Sequence, residues 1–294
     1  MSIHIPVLLN EVLEYLEIKP DGIYVDCTLG EGGHAEAILQ KGGKIIGIEQ
    51  DEEILNLAKT RLNKYKEKII FVHDNFKSIS GYINSLTPVS GGQERVDGIL
   101  YDLGLSSFHF ESKTRGFSFR YDAELDMRLD IRNEVKAKDL INFLSTKELA
   151  QIILKYGEEH RAKEIANAIV KKRPIMTTFE LIRTIEPIIS GYKRIHPATK
   201  VFQALRIAVN HELEVLDKSL DEAISLLKKG ARLLVISYHS LEDRLVKHKF
   251  RKWALEELVK IITKKPIRPT LQEVKDNPRA RSAKLRVMEK IGDW

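Results

Sequence analysis

One stretch near the N-terminus, residues 23–51, restricts the possible folds more than any other part of the chain. It opens with an apolar run at residues 23–27, passes through a glycine-containing turn at residues 29–34, and closes on a second apolar run at residues 45–48. A segment compatible with a helix separates the two runs. Strand, turn, helix and strand in this order form the βαβ unit of an open parallel sheet. The stretch therefore predicts an α/β fold.

The turn and the acidic residue after the second run predict a ligand site. Gly30, Gly32 and Gly33 allow positive φ angles and a close approach of a ligand to the backbone, and amides at the start of the next helix offer hydrogen-bond donors. Glu49 follows the glycines by about twenty residues, where a carboxylate commonly accepts hydrogen bonds from ribose hydroxyls. The pattern predicts a cofactor that carries a nucleoside.

Two cofactors fit this pattern, and Asp26 favours one of them. Gly30, Gly32 and Ala35 have the spacing of a dinucleotide-binding turn, which is a weak signal by itself. Asp26 stands four residues before Gly30, where a carboxylate would repel a pyrophosphate but attract the sulfonium and ammonium groups of S-adenosylmethionine. S-adenosylmethionine is therefore favoured, while a plain turn capped by Asp26 stays open as an alternative.

The bulk properties exclude several classes of protein. The 294 residues contain no apolar run of about 20 residues, as a membrane helix needs, and no secretion or transit signal, so we expect a cytoplasmic protein without a membrane partner. The single cysteine, Cys27, excludes an intrachain disulfide, and its place in a predicted strand favours a small buried side chain over a nucleophile. The sequence offers no zinc-binding pattern, and we expect no metal.

The order of predicted elements indicates two domains. Predicted strands at residues 68–73 and 96–102 continue the alternation with helices, with a polar loop at residues 87–95 between them. Residues 137–194 read as helices only, and apolar spacing predicts one long helix over residues 200–228, ended by Gly230, before a fifth strand at 232–238. The simplest organisation is a doubly wound sheet domain (1–110 and 200–294) with an inserted all-helical domain (111–199).

Polar residues at the predicted strand ends converge, because ligands bind beyond the carboxyl ends of parallel strands. Phe76 follows the third strand and would lie near an adenine, although it would equally suit the core. Asp102 follows the fourth strand beside a flexible turn, the position from which methyltransferases reach the methyl group and its acceptor. A turn-capping aspartate is the alternative reading of Asp102.

Several ordered motifs together resemble the bacterial 16S ribosomal RNA cytosine-N4 methyltransferase family. The first is the turn Asp26–His34, and the second is the segment Asp102–Ser107. The others lie at residues 115–119, 125–128, 156–159, 196–199, 202–206, 237–244 and 277–286. The resemblance implies a Rossmann-like class I methyltransferase domain with a helical insertion on the substrate side. It also implies S-adenosylmethionine as methyl donor, and the N4 amine of a cytidine in the decoding region as acceptor.

The resemblance also implies site residues. Its cofactor contacts correspond here to Gly32, Gly33, His34, Glu49, Phe76, Asp102 and His109. Glu49 stands where the family often has aspartate, and His109 lies in a Phe-His-Phe run that departs from the usual pattern. Asp102 is the candidate catalytic residue, which would orient the methyl donor and the amine.

The partners expected from the resemblance are 16S rRNA or the small ribosomal subunit, with a homodimer by analogy. Residues 247–286 contain 13 Lys or Arg against 4 Asp or Glu, a balance that favours a polyanionic partner. We expect an RNA phosphate contact at Lys264, Lys265, Arg268, Arg279, Arg281 and Arg286. A methyltransferase acting on another substrate, an RNA-binding assembly factor that keeps the cofactor pocket, and an NAD reductase remain alternatives.

Overall fold

The computed structural model describes residues 6–86, 95–189, 196 and 198–292, except for the Ser107 side chain. The chain forms two compact units, one of Met1–Gly104 with Leu213–Trp294 and the other of Leu105–Glu212. Apart from Arg95, the polar loop predicted at residues 87–95 lies outside the described residues, as do residues 190–194 at the end of the predicted helical region. Within the described chain, no helix is both long and apolar enough to cross a membrane.

The first unit contains a seven-stranded sheet with the strand order β3-β2-β1-β4-β5-β7-β6. Its strands are β1 (Ile23–Asp26), β2 (Lys44–Glu49), β3 (Ile69–His73), β4 (Val96–Asp102), β5 (Leu227–Ser237), β6 (Val259–Ile261) and β7 (Lys284–Lys290). Strands β1 to β5 are parallel, whereas β7 runs antiparallel to both β5 and β6. The strand order reverses between β1 and β4, which is where open α/β sheets bind ligands. The predicted Rossmann-like α/β class is confirmed.

The helices of this unit connect the strands. They are α1 (Leu9–Leu16), α2 (Gly33–Gln40), α3 (Glu52–Arg61), α4 (Ile79–Leu86), α11 (Glu212–Leu226), α12 (Ser240–Leu255) and α13 (Leu271–Asp276). Short 3₁₀ turns lie at Asn63–Tyr65, Phe76–Ser78 and Pro278–Ser282. Asp51 caps α3 by accepting hydrogen bonds from the amides of Glu53 and Ile54, which fixes the start of that helix directly after β2.

Both faces of the sheet are buried, because alternate residues of its strands belong to two separate apolar clusters. One cluster includes Val25, Cys27, Ile46, Ile99, Tyr101 and Val235, and the other includes Tyr24, Ile45, Leu100, Leu234 and Ile236. Burial raises the pKa of the Cys27 thiol well above its ordinary value, so a reactive thiolate is disfavoured. The predicted role of Cys27 as a small buried side chain is confirmed.

The second unit is helical. It consists of α5 (Ser107–Glu111), α6 (Ala137–Phe143), α7 (Thr146–Gly157), α8 (Ala162–Lys172), α9 (Thr178–Ile189) and α10 (Ala198–Asn210). These helices enclose an apolar cluster of their own, in which Leu149, Ile165 and Leu205 are fully buried. An antiparallel bridge pairs Glu124, in the irregular segment before α6, with Thr177, which directly precedes α9.

The long helix predicted over residues 200–228 is wrong, because the chain turns at His211. His211 has a φ of 50°, a left-handed value that ends α10 and separates it from α11. The Asn210 amide fixes this end: its nitrogen donates to the Met127 carbonyl at 2.8 Å and its oxygen accepts from the Leu129 amide at 2.8 Å. Apolar spacing alone does not detect such a one-residue break. Strand β5 likewise begins at Leu227, before Gly230 rather than after it.

The boundaries of the two units also differ from the expected ones. Contacts divide the chain after Gly104 and after Glu212, not after residues 110 and 199. Helix α10 consequently belongs to the helical unit, where Val201 and Leu205 contribute to the apolar cluster. The expected boundary at 199 followed from treating α10 and α11 as one helix of the sheet domain.

Substitution of Gly98 by alanine tests how tightly β4 packs. A Cβ at Gly98 would lie 2.8 Å from Leu16 Cδ2 and 2.9 Å from Tyr24 Cδ1, and the Tyr24 ring is held by a hydrogen bond from the Lys19 amide. We expect Gly98→Ala to lower the free energy of unfolding by about 1–3 kcal/mol through overpacking. Urea denaturation measures this change.

Gly81→Ala is the matched control, because Gly81 lies in α4 and a Cβ added there would meet no atom within 4 Å. The same substitution there should raise the free energy of unfolding by about 0.5–1 kcal/mol, since alanine restricts the unfolded chain. Equal effects of the two substitutions would contradict the close packing of β4.

Candidate active site

Strand β1 ends in a buried carboxylate, that of Asp26. The Thr28 amide donates to Asp26 Oδ1 at 3.2 Å, whereas Asp26 Oδ2 is buried and has no hydrogen-bond partner among the described residues. Burial is the main cause that raises the pKa of Asp26 to about 7, and the nearby carboxylates of Asp102 and Glu49 raise it further. An unpaired buried carboxylate is costly unless a cationic or hydrogen-bonding ligand approaches it.

Two of the three glycines of the turn, Gly32 and Gly33, leave no room for a side chain. Gly32 has a φ of 81°, and a Cβ there would lie 2.7 Å from Leu62 Cδ1. A Cβ on Gly33, the first residue of α2, would overlap with Pro6 Cγ. Around Gly30, in contrast, the nearest atom to a Cβ would be 3.8 Å away. The turn therefore packs tightly against the protein at Gly32 and Gly33, whereas the space beside Gly30 is open.

Glu49 ends β2 and braces the same turn. Its Oε2 accepts from the Gly30 amide at 2.9 Å, and its Oε1 accepts from the Asp51 amide at 2.9 Å. Loss of water around this carboxylate raises the pKa of Glu49 to about 7. The Gln50 amide is a third backbone donor to this carboxylate, so the side chain is fixed in place and keeps one lone pair for a further hydrogen bond.

Asp102, at the end of β4, lies in a network that joins three strand ends. Its amide donates to Thr28 Oγ1 at 2.6 Å, and its Oδ1 accepts from the Tyr238 hydroxyl at 2.8 Å. Its Oδ2 lies 3.8 Å from Nδ1 of His34, whose Nε2 contacts the Val7 carbonyl at 3.0 Å. The Asp102 side chain remains 20% exposed, which leaves it accessible to a second molecule.

Tyr238 belongs to this network, although it was not among the site residues predicted from the sequence. It follows β5 directly, and its ring lies so close to Gly104 that a Cβ there would be 2.7 Å from Tyr238 Cε2. Burial is the main cause that raises the pKa of its phenol well above the ordinary value, and the charge of Asp102 adds to the effect. The phenol therefore stays protonated and donates its hydrogen to Asp102. The sequence signal that could have identified Tyr238 is its position at the end of a predicted strand, where polar residues were expected to converge.

The residues after β3 are less open than expected. Phe76 packs edge to face against Tyr101, with 5.3 Å between ring centroids, and is half-buried against the core. The two residues before it, Asp74 and Asn75, are held by internal hydrogen bonds. Asp74 Oδ2 accepts from the Tyr82 hydroxyl at 2.6 Å, and the Asn75 amide donates to Gln50 Oε1 at 2.8 Å.

His109 belongs to α5 of the helical unit, whereas the other predicted cofactor residues belong to the sheet unit. Its side chain is buried, its ring lies 4.8 Å from the Phe117 ring, and its Nδ1 lies 3.3 Å from Ser106 Oγ. The sheet unit therefore brings together Gly32, Gly33, His34, Glu49, Phe76 and Asp102, and His109 belongs to the other unit.

The residues of the sheet unit fit S-adenosylmethionine. The orphaned oxygen of Asp26 suits a cationic ligand, the start of α2 suits a carboxylate, and Glu49 suits a ribose. A pyrophosphate would instead meet the carboxylates of Asp26 and Asp102 at the same strand ends. The geometry favours the methyl donor over a dinucleotide on these grounds.

Comparison with known proteins agrees with this chemistry. The family model of the MraW methylase family matches residues 1–291. The chain is 45% identical over 312 aligned residues to Ribosomal RNA small subunit methyltransferase H of Clostridioides difficile (strain 630), covering 98% of this chain and 99% of the relative.

Two further relatives carry the same name. The protein of Finegoldia magna is 45% identical, with 98% of each chain covered, and that of Carboxydothermus hydrogenoformans is 44% identical, also with 98% of each chain covered. The family resemblance found in the motifs is confirmed. The chain belongs to the MraW methylase family and is an S-adenosylmethionine-dependent methyltransferase.

Proposed function

We propose that this enzyme methylates the N4 amine of a cytidine in the decoding region of 16S rRNA. The observation that carries the proposal is the fixed and accessible carboxylate of Asp102, next to the turn that suits the methyl donor. The names of the relatives support a small-subunit ribosomal RNA as substrate. A cytoplasmic location follows from this substrate, and the homodimer stays a prediction.

The methyl donor would be held by the ends of β1 and β2. Amides at the start of α2, from Gly33 onwards, would bind the carboxylate of its amino-acid end, and Asp26 would attract its positive charges. Glu49 would accept hydrogen bonds from the ribose, and Phe76 would lie against the adenine. When bound, S-adenosylmethionine supplies a methyl group on a sulfonium, which is strongly electrophilic.

Asp102 acts on the acceptor. The lone pair of the cytosine N4 amine is delocalised into the ring, so the amine is a weak nucleophile. A carboxylate that accepts a hydrogen bond from N4–H favours the pyramidal amine that attacks the methyl group, and correct placement contributes much of the remaining acceleration. Asp102 has one oxygen bound to Tyr238, which leaves the carboxylate oriented and still able to accept.

Thr28 and Tyr238 position this carboxylate. Thr28 accepts from the backbone of Asp102 and Tyr238 donates to its side chain, so both the position of the strand end and the rotamer are constrained. Hydrogen bonds that preorganise a polar group before substrate arrives lower the cost of reaching the transition state. The cytidine itself has to be single-stranded or flipped out to reach the site. We also propose that the inserted helical unit serves the substrate side, and the cofactor contact expected of His109 stays a prediction.

Mapping of the methylated nucleotide tests the function. The protein would be incubated with labelled S-adenosylmethionine and small ribosomal subunits from a strain that lacks the modification. We expect the label on N4 of one cytidine of 16S rRNA. A label on another atom or molecule would favour a methyltransferase with a different substrate, and binding without transfer would favour an assembly factor.

Cofactor affinity should depend on pH through Asp26 and Glu49. Both have pKa values raised to about 7, and the cationic methyl donor favours their charged forms. The dissociation constant should therefore rise about tenfold or more as pH falls from 7 to 5.5. The free energy of unfolding of the cofactor-free protein should change with pH in the opposite direction. Because Asp26 and Glu49 have higher pKa values in the folded chain than in the unfolded chain, their protonation favours folding at low pH, and this contribution is lost as pH rises through 7.

Calorimetric titration at several pH values checks this prediction. Asp26→Asn combined with Glu49→Gln should weaken binding at pH 7.5 and flatten its pH dependence. Asp21→Asn, at an exposed aspartate before β1, is the matched control and should retain the wild-type profile. A wild-type pH slope in the double variant would contradict the assignment of these two carboxylates.

Removal of the Asp102 carboxylate should nearly abolish methylation. We expect Asp102→Ala to lower kcat by about 100-fold or more, the range of a lost acid–base group. Asp97→Ala is the control, since Asp97 lies at the other end of β4 and binds the Ile23 amide at 3.0 Å. The control should lower stability but preserve kcat. An Asp102→Ala enzyme with wild-type turnover would rule out the proposed role.

Tyr238→Phe tests positioning separately. Loss of the hydroxyl leaves the Asp102 carboxylate present but less oriented, so we expect kcat to fall about tenfold, the value of one lost hydrogen bond to a charged group. The KM for the cofactor should change little, and the pH profile of kcat should shift. Tyr24→Phe removes a buried hydroxyl distant from the strand ends and should leave the profile unchanged. Identical profiles in both variants would contradict positioning by Tyr238.

A further inference from the structure

The segment between β6 and β7, residues 262–283, carries a concentration of positive charge. We call it the basic connection. It contains six Lys or Arg residues and two acidic ones. It also contains α13 and the 3₁₀ turn Pro278–Ser282. Its charge makes it the part of the C-terminal region to consider as a contact for a polyanion.

Sheet topology brings the basic connection to the edge that carries the candidate active site. Strand β7 is antiparallel to β5 and to β6, so β6 ends and β7 begins at the carboxyl ends of the parallel strands. The register places Lys284, the first residue of β7, beside Ser237, the last residue of β5. The next residue after Ser237 is Tyr238, which binds Asp102.

Contacts with the N-terminal segment link the basic connection to the cofactor turn. Glu273 of α13 accepts a hydrogen bond from the Leu8 amide at 2.7 Å. The preceding residue, Val7, contacts the His34 ring at 3.0 Å through its carbonyl. The basic connection and the turn are thus separated by one segment of the chain.

The backbone of the basic connection is constrained rather than loose. Its first part pairs with β7 through the Ile267–Leu285 bridge and the hydrogen bond from the Val287 amide to Thr263 Oγ1. Thr270 caps α13 and Asn277 caps the 3₁₀ turn through their side-chain oxygens. A surface that is ordered before binding loses less entropy when a ligand arrives.

Five of its basic side chains are exposed and unpaired. Across residues 6–86, 95–189, 196 and 198–292, no carboxylate lies within ion-pair distance of these five, which are Lys264, Lys265, Arg268, Lys275 and Arg281. Two basic residues of the neighbouring strand β7, in contrast, form ion pairs. Lys284 and Arg286 both bind Asp243, at 3.1 and 2.7 Å. Arg286 is buried in this pair, so we leave it out of the proposed RNA surface.

We propose that the basic connection binds the phosphates of the RNA substrate and guides the target cytidine to Asp102. This inference rests on the proposed function and names the surface that would serve it. Unpaired cations at this edge form no stabilising ion pairs within the described fold. They would interact directly with phosphates, and this binding would release counterions from the RNA. A constrained surface beside the reacting carboxylate fits a long polyanion better than an isolated anion.

Charge reversal tests the surface. The variant K264E/K265E/R268E/R281E would be compared with wild type for binding to an unmodified 16S rRNA transcript at several salt concentrations. We expect at least a tenfold loss of affinity, and a slope of log K against log salt that is shallower by about 3, as four lost phosphate contacts predict. Calorimetry with S-adenosylmethionine should give unchanged cofactor affinity, which verifies the fold.

The matched control is K19E/K41E/K68E/K229E, which makes the same charge change with exposed lysines near the opposite ends of the strands. This control should keep the wild-type salt slope. Equal slopes in the two variants would overturn the proposed surface. If the reversed variant fails to fold, the neutral set K264Q/K265Q/R268Q/R281Q replaces it, with the same expected direction.

A parallel methylation assay separates this inference from the proposed function. Wild-type protein that methylates 16S rRNA while the two variants bind alike would overturn the surface alone. Wild-type protein that binds RNA through the basic connection without methylating 16S rRNA would overturn the function alone. Methylation together with the expected loss of slope supports both.

Discussion

The burial of Asp26 with one oxygen unpaired is the constraint on which the site depends. The carboxylate sits at the end of β1, where the strand order of the sheet reverses, and two further carboxylates end the neighbouring strands. Like charges and burial both resist ionisation there, as the raised pKa values of Asp26 and Glu49 reflect. A cationic methyl donor removes this penalty. The same arrangement would oppose a pyrophosphate, so the electrostatics of the fold itself already select the class of cofactor.

The site also depends on polar groups that hydrogen bonds already hold in position before a ligand binds. The Gly30 amide is held by Glu49, the Asp102 amide by Thr28, and the Asp102 side chain by Tyr238. Each hydrogen bond joins the end of one strand to a residue near the end of another. Polar groups fixed in this way need little reorganisation when charge moves during methyl transfer. The rigid sheet therefore determines the geometry of the site, and the turn residues complete it.

The sequence predicted this edge better than it predicted the contacts within it. Apolar periodicity and glycine spacing identified β1 to β5 and their carboxyl ends, because both follow from short-range rules, but they did not identify β6 and β7. The break at His211 was missed because it depends on bonds from Asn210 to residues about 80 positions earlier, at separations of 81 and 83. The burial of Arg286 and the role of Tyr238 depend in the same way on partners distant in sequence. Charge counts could not separate paired from unpaired cations.

That separation has a physical consequence for the active-site edge. Three carboxylates at the strand ends repel the phosphates of any RNA that approaches Asp102, and within a Debye length of about 8–10 Å salt screens that repulsion only in part. Lys284 and Arg286 share the one carboxylate of Asp243, which offsets one of their two positive charges, so these paired cations compensate for the repulsion only in part. Unpaired cations on the adjoining connection do compensate, without approaching the cofactor turn. An acidic cofactor site and a polyanionic substrate are compatible at one sheet edge only if positive charge lies beside it. Strand β6 runs parallel to β5 and is therefore the element that brings the basic connection to that edge.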